Sequence, residues 1–283
     1  MKVNSFSLQI ISSFFFSVLG MEIKILGEKL ITEDIVFYRC LFGTVIIFFI
    51  VIFKEKDLKL LYTKNINIQF LRALFGTIAM YFGYSALNLI PLAQASTISF
   101  TKVFFVSVLA TLFLKEIIRK NIFISSLVGF IGIFIIINPT EFNNLYGSSL
   151  SIISAFFVAG GIICSSVLIK THRAITIIFY HSIFSTFICL VLFNTKLGLI
   201  NFTDFLLLTL ITITALIGQF FNTMSYKSGE ANVIVIAGYT RVLFSFLLGF
   251  LVLNENLDVN FFIGTIFILF SAFLVKNYHK KNR

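Results

Sequence analysis

Ser7-Leu8-Gln9-Ile10-Ile11-Ser12-Ser13-Phe14-Phe15 returns 142 residues later as Ser149-Leu150-Ser151-Ile152-Ile153-Ser154-Ala155-Phe156-Phe157. The same offset lays Phe37-Tyr38-Arg39 over Phe179-Tyr180-His181. Further along the offset becomes 139: Thr101-Lys102-Val103 meets Thr240-Arg241-Val242, and Glu116 meets Glu255. Self-similarity at a fixed offset marks a duplicated fold. The chain is therefore read as two repeats, residues 1–140 and 141–283.

Composition says what the repeats are made of. The 283 residues are 58% hydrophobic and only 12% charged, with a mean hydropathy of +1.01, whereas soluble domains carry about 25% charged residues. About twenty apolar residues cross a bilayer core as a helix. Ten stretches fit, at 5–26, 33–53, 67–88, 92–113, 121–138, 147–169, 174–193, 203–225, 231–253 and 259–276. Two prolines against 38 phenylalanines favour helices, and with no tryptophan present tyrosine takes the interfacial role. The first stretch lacks a small-residue cleavage site and runs into Glu22, Lys24 and Glu28, so it is expected to be a retained span and not a signal peptide.

Five spans per repeat is an odd number, so the second repeat enters the membrane upside down. The expected fold is an all-α integral membrane protein, ten transmembrane helices as two inverted five-helix repeats around a central cavity. Loop charges agree: alternate loops and both ends place 15 Lys and Arg on one side, against Lys24, Lys29 and Lys196 on the other. Cytoplasmic loops accumulate such charge. Both termini are thus expected in the cytoplasm, with the chain multi-pass in the inner (cytoplasmic) membrane. Lys115, Arg119 and Lys120 after the fourth span match Asn254, Asp258 and Val259 after the ninth, so matched loops differ in charge character. The net charge of +10 follows from topology, and the partner it implies is a lipid bilayer and no nucleic acid.

Metal and enzyme chemistry find no footing. Cys40, Cys164 and Cys189 sit in apolar stretches without C-x-x-C spacing, and His172, His181 and His279 are scattered. The 12 acidic residues form no Asp-x-x-Asp cluster, and no nucleophile–base pair stands out. No catalytic residue, metal or cofactor is expected.

Charges inside the spans are the informative residues. Arg72 lies near the basic-side end of the third span, where its stem can snorkel to the interface. Arg39 lies towards the outer end of the second span and Glu22 at a similar depth in the first; they are read as a structural or gating ion pair. His181, the repeat counterpart of Arg39, is read with them, bonded to a backbone carbonyl. Lys102 and Arg241 are each about ten residues from either end of their spans. A cation at that depth costs about 2.5–3.5 kcal/mol, and no Asp or Glu lies at the same level to neutralise it. Water, backbone carbonyls or an anionic ligand group must compensate, and only the last is functional.

Helical spacing adds Ser99 and Phe105 beside Lys102, and Gly238 and Ser245 beside Arg241. Gln219 and Asn222 share a face of the eighth span, as Met80 and Gly83 do in the third, with Tyr84 nearby; an amide pair orients a polar ligand or bonds a neighbouring helix. Gly160-Gly161, Ala155/Ala159 and Ser125/Gly129 are read as packing positions.

Several runs together resemble one family: Phe37-Tyr38-Arg39, Arg72-Ala73-Leu74-Phe75-Gly76-Thr77, Tyr84-Ser85-Ala86-Leu87-Asn88-Leu89-Ile90-Pro91-Leu92-Ala93-Gln94-Ala95, Leu114-Lys115-Glu116, Gly129-Phe130-Ile131-Gly132 and Leu253-Asn254-Glu255. Over essentially the whole chain they resemble the drug/metabolite transporter superfamily, specifically its EamA-type ten-helix members. The resemblance implies a basket of helices around a cavity lined by spans 1, 3, 4, 6, 8 and 9, working by alternating access. It also implies a proline in the middle of spans four and nine, where this chain reads Phe100-Thr101-Lys102-Val103 and Gly238-Tyr239-Thr240-Arg241. The related plastid sugar-phosphate translocators hold phosphate with basic residues in the corresponding helices, and Lys102 with Arg241 looks similar.

The expected function is a secondary transporter or exchanger of a small organic, anionic metabolite, acting as a monomer or homodimer. The alternatives are an exporter of amino acids or amphipathic, drug-like compounds, and an importer of a ring-containing metabolite such as S-adenosylmethionine or riboflavin. No mid-membrane carboxylate offers a proton relay, which favours exchange or facilitated movement.

Overall fold

The computed structural model describes residues 4–56, 58–116, 120–137, 145–193, 200–227, 230–255 and 259–281, and the regular elements among them are helices. Arg119, Lys196, Asp258 and the expected repeat boundary at 140/141 lie outside the described residues. The elements are α1 (Ser5–Leu26), α2 (Thr32–Ile50), α3 (Ile66–Leu87), α4 (Leu92–Ile98), α5 (Lys102–Leu109) and α6 (Lys120–Ile137). They continue with α7 (Leu145–Leu168), α8 (Ala174–Leu192), α9 (Phe202–Ser225), α10 (Ala231–Ala237), α11 (Thr240–Leu253) and α12 (Val259–Lys281). Local signals account for several starts: Asn201 Oδ1 accepts from the Asp204 N–H at 2.8 Å to cap α9, Pro91 precedes α4, and Glu33 and Asp34 sit in the first turn of α2.

Among the described residues eight helices are long and apolar enough to cross a membrane. Expected spans five and ten appear as α6 and α12, whose strongly apolar stretches, Phe123–Gly132 and Phe262–Ser271, are shorter. The exterior is apolar as well as the core: Phe53 and Phe113 are each 69% exposed and Val191 81%. Such a surface suits hydrocarbon and not water.

Expected spans four and nine are each broken in two. A 3-10 turn over Ser99–Thr101 separates α4 from α5, and a turn at Gly238-Tyr239 separates α10 from α11. Neither break holds a proline. Hydroxyls do the work instead: Ser99 Oγ donates to the Ser96 carbonyl at 2.7 Å, Thr101 Oγ1 to that of Ile98 at 2.9 Å, and Thr240 Oγ1 to that of Ala237 at 3.1 Å. The backbone tightens in step, with Gly238, Tyr239 and Arg241 N–H groups each reaching the carbonyl three residues back at 2.9–3.1 Å. Side-chain donors compete with the helical ladder, and the short register turns the chain. As a result Lys102 opens the second half of one broken span and Arg241 the second half of the other.

The helices pack in reciprocal pairs: α1 with α9 and α7 with α3, α1 with α11 and α7 with α5, then α2 with α8 and α6 with α12. One hydrogen bond is made twice with the roles of the two halves exchanged. Ser12 Oγ on α1 donates to the Gly218 carbonyl on α9 at 2.9 Å, and Ser154 Oγ on α7 donates to the Ala79 carbonyl on α3 at 2.7 Å.

Small residues let helix pairs close. A Cβ on Gly132 would lie 2.5 Å from the Gly264 carbonyl and 2.9 Å from Phe267 Cβ, and one on Gly160 would lie 2.6 Å from the Phe75 ring. Ser125 Oγ meets the Ser271 carbonyl at 2.6 Å across the same α6–α12 seam. Gly132→Val is therefore expected to force α6 and α12 apart, costing about 1–3 kcal/mol. Thermal unfolding in detergent, followed by loss of monodisperse protein, checks this; an unchanged midpoint would remove the seam from the account.

Candidate functional site

The broken spans bring their midpoints to a central cavity of about 210 Å³. Its walls take residues from α1, α3, the two broken spans, α7 and α9, with Arg39 of α2 and His181 of α8 added. Serines supply much of the polar lining: Ser13, Ser96, Ser99, Ser151, Ser154 and Ser165. Arg39, Arg72, Lys102 and Arg241 all line it, and among the described residues no Asp or Glu does. Four cations sharing one low-dielectric space repel each other unless something negative joins them.

Each cation is held in place by neighbours that leave its charge uncompensated. Lys102 Nζ lies 4.3 Å from the centre of the Phe100 ring, and the Arg241 guanidinium 5.8 Å from that of Phe16. Arg241 Nε is buried with no hydrogen-bond partner among the described residues. Arg39 contacts the Tyr84 hydroxyl and Met80 Sδ. Arg72 donates through Nε to Ser165 Oγ at 2.6 Å and through a terminal nitrogen to His181 Nδ1 at 3.3 Å. Arginine has no lone pair to offer, so that histidine nitrogen is the acceptor and the ring is neutral.

Of the residues singled out from sequence, Lys102, Arg241, Ser99, Gly238, Tyr84, Gln219, Asn222, Arg39 and His181 line this cavity together. Phe105 does not: one turn further along α5 than Lys102, it packs edge-on against Phe156 of α7 at 5.4 Å. Ser245 is also outside the lining; it is buried between Ser96 Oγ at 2.7 Å and Ser17 Oγ at 3.1 Å. The expected Glu22–Arg39 ion pair is not formed among the described residues. Glu22 instead accepts from Thr214 Oγ1 at 3.1 Å, since Arg39 turns towards α3. His181 bonds side chains, not the backbone carbonyl expected of it.

Arg72 is the largest correction. It does not snorkel: it is only 8% exposed and points inward against α7 and α8. Gln9 and Ser151 were also passed over, although they stand at the same place in the opening repeat and both line the cavity. Applying the 142-residue offset to polar positions, and not to the alignment alone, was the signal that finds them.

Two carboxylates lie beyond the two ends of the broken spans. Lys115 and Asn254, at matching places, adopt left-handed φ values of 57° and 50°. Each turns the chain so that the next residue, Glu116 or Glu255, reaches the start of the other half's broken span. Glu255 Oε1 accepts from the Leu92 N–H at 2.7 Å and pairs with Lys24 Nζ at 2.7 Å, while Lys24 also donates to the Ile90 carbonyl at 3.1 Å. Glu116 Oε1 accepts from the Ala231 N–H at 2.9 Å. A carboxylate on a helix N-terminus is a charge-assisted cap, and here each cap ties one half of the chain to the other.

Known proteins agree with this architecture. The pseudopaline exporter CntI of Pseudomonas aeruginosa is 25% identical over 93% of this chain and 92% of its own length. The S-adenosylmethionine uptake transporter of Rickettsia conorii is 25% identical over 91% and 87%, and a riboflavin transporter of Brucella anthropi 27% over 65% and 67%. A protein of known crystal structure superposes with a TM-score of 0.72 over 98% of this chain and 99% of its own, at 14% identity, a likeness of fold alone. The EamA-like transporter profile matches twice, at residues 5–138 and 145–276. Together the two matches cover nearly the whole chain, and the chain belongs to that family: it is an EamA-like transporter, not an enzyme.

Proposed function

We propose that this transporter moves a small organic anion across the cytoplasmic membrane by alternating access. The carrying observation is the lining of the central cavity, four cations without a carboxylate. In this reading α6 and α12 complete ten spans, arranged as two inverted repeats, residues 1–140 and 141–283, with both termini cytoplasmic. The doubled family match, the reciprocal helix pairs and the exchanged Ser12 and Ser154 bonds support the duplication.

Lys102 and Arg241 are the central anion contacts. Each begins a half-helix, so its charge adds to the positive end of a peptide dipole near mid-span. Ser99, Gln219, Asn222 and Tyr84 supply donors and acceptors that orient the rest of the cargo, and the small residues Gly76, Gly83, Gly161 and Gly238 give it room. Glu255 and Glu116 serve as gates, one at each end of the cavity, whose alternate opening exposes the site. With no carboxylate in the lining to carry a proton, exchange or facilitated movement is the transport mode. The cargoes for which the relatives are named, pseudopaline, S-adenosylmethionine and riboflavin, support a cargo of metabolite size.

A ligand-stabilisation screen on the purified protein tests the charge class. Carboxylates and phosphates are expected to raise the melting temperature by mass action, with amino acids and flavins giving smaller shifts unless they carry an added acid. Stabilisation by neutral compounds alone would overturn the anionic reading.

A further inference from the structure

We infer that the cavity holds two anion subsites carried on different helices, so that the cargo carries at least two negative groups. This rests on the anionic reading above and extends it. The first subsite is Lys102 with Arg241, on α5 and α11. The second is Arg39 with Arg72, on α2 and α3, backed by His181 of α8. The two pairs stand on different scaffolds: α2 and α8 pack on each other and on α3, whereas α5 packs on α7 and α10, and α11 on α1 and α4.

The second pair has the marks of a ligand site and not of a structural brace. Arg39 is 6% exposed and Arg72 8%, so both guanidiniums have left bulk solvent. A buried cation held for structure is normally neutralised by a carboxylate, and neither makes an ion pair among the described residues. Their neighbours, the Tyr84 hydroxyl, Met80 Sδ, Ser165 Oγ and His181 Nδ1, are all uncharged acceptors. Each guanidinium has five N–H groups; the contacts on Arg39 use one terminal nitrogen, and those on Arg72 use Nε and one terminal nitrogen. Both residues line the cavity, so the forks are within reach of a ligand there. The neighbours therefore aim the two forks and leave the countercharge to be supplied from inside.

The wall around them is cleared for a ligand. A Cβ on Gly76 would run into the His181 ring and come within 2.8 Å of the Arg72 terminal nitrogen bonded to it, so glycine there makes room for the Arg72–His181 contact. Gly161 opposite has nothing nearer than that same guanidinium, 3.8 Å from where its Cβ would stand. Arginine forks match carboxylate and phosphate oxygens in pairs, so the second group is a carboxylate or a phosphate. A lone monoanion fills one subsite and leaves the other pair in mutual repulsion; a dianion of sufficient span satisfies both.

The test is binding of defined probes to the full-length protein in detergent, by calorimetry or thermal shift. Propionate and butyrate are compared with succinate, glutarate, adipate and 3-phosphoglycerate at equal ionic strength. At least one of the last four, dianions in the sense of bearing two acidic groups each, is expected to bind about tenfold or more tightly than the monoanions. Arg39→Gln and Arg72→Gln should each abolish the preference and bring that dianion down to the monoanion level; Arg39→Lys and Arg72→Lys should keep much of the preference, which guards against misfolding as the explanation. Lys102→Gln with Arg241→Gln should weaken both classes. Equal affinities for mono- and dianions, or wild-type dianion affinity in both Gln variants, would overturn the second subsite while leaving the anionic cargo standing. Indifference of all variants to every anion would overturn both.

Discussion

The doubly substituted Lys102→Met, Arg241→Met transporter is expected to lose transport of its anionic cargo by about a hundredfold to ten-thousandfold. Each charged contact to a ligand is worth about 1.5–3 kcal/mol, and 1.4 kcal/mol is tenfold, so two contacts together span that range. Methionine is close to both side chains in length and flexibility and suits an apolar wall, which makes this loss of charge and not of volume. The protein should fold: removing two mid-membrane cations relieves a cost of about 2.5–3.5 kcal/mol apiece. Transport assayed in proteoliposomes, with melting temperature measured alongside, separates the effects. A variant that is more stable yet inactive towards anions is the expected result. Retention of transport, or activity lost only with stability, would show that the two cations merely hold water and carbonyls, as in an exporter of neutral amphipathic compounds.

Much of this site was legible before any coordinates, and the reasons are physical. Lys102 and Arg241 stand out because a charge ten residues deep in an apolar span must be compensated by water, backbone carbonyls or a ligand. Gln219, Asn222, Met80 and Gly83 emerge because duplication makes each position count twice, and all four line the cavity. Arg72 was misjudged because depth along a span says nothing about azimuth. A residue one turn from the end can snorkel only if its Cα faces lipid, and Arg72 faces α7 and α8.

Phe105 and Ser245 failed for a related reason. The 3-10 turn at Ser99–Thr101 and the turn at Gly238-Tyr239 lie before the cations and leave the helical spacing to Phe105 and Ser245 intact. One turn on, however, the same face already meets other helices, Phe105 against Phe156 and Ser245 between Ser96 and Ser17. The missing prolines in both spans hid those breaks, and the serine and threonine hydroxyls that make them carry too weak a sequence signal to be read alone. The Glu22–Arg39 pairing failed because matching depth on adjacent spans is necessary for an ion pair but not sufficient; Tyr84 and Met80 lie closer to the arginine.

The gates yield the second large effect. Glu255 joins Lys24, the Leu92 N–H and, through Lys24, the Ile90 carbonyl. Its side chain is 10% exposed and that of Lys24 25%, so these are charge-assisted bonds in a poorly solvated place. Glu255→Ala removes both bonds to the carboxylate at once and leaves the ammonium with the Ile90 carbonyl but no countercharge, a loss of about 2–4 kcal/mol from the state closed at that end. If that closure belongs to one conformation of an alternating-access cycle, the substitution shifts the equilibrium towards opening there by on the order of 30- to 1,000-fold. Glu116→Ala acts at the opposite end, on the Ala231 N–H, and shifts it the other way. Ser99 lines the cavity and reports access once replaced by cysteine in a background without Cys40, Cys164 and Cys189. Labelling by a membrane-impermeant thiol reagent, applied from the side that holds the start of α4, should speed up in Glu255→Ala and slow in Glu116→Ala. Glu255→Gln separates the two bonds, since its amide oxygen still accepts from Leu92 while the charge facing Lys24 is gone; an intermediate rate follows if both matter. Equal labelling rates in all four proteins would mean that the two glutamates cap helices and nothing more, and the opening of the cavity would have to be sought at another seam.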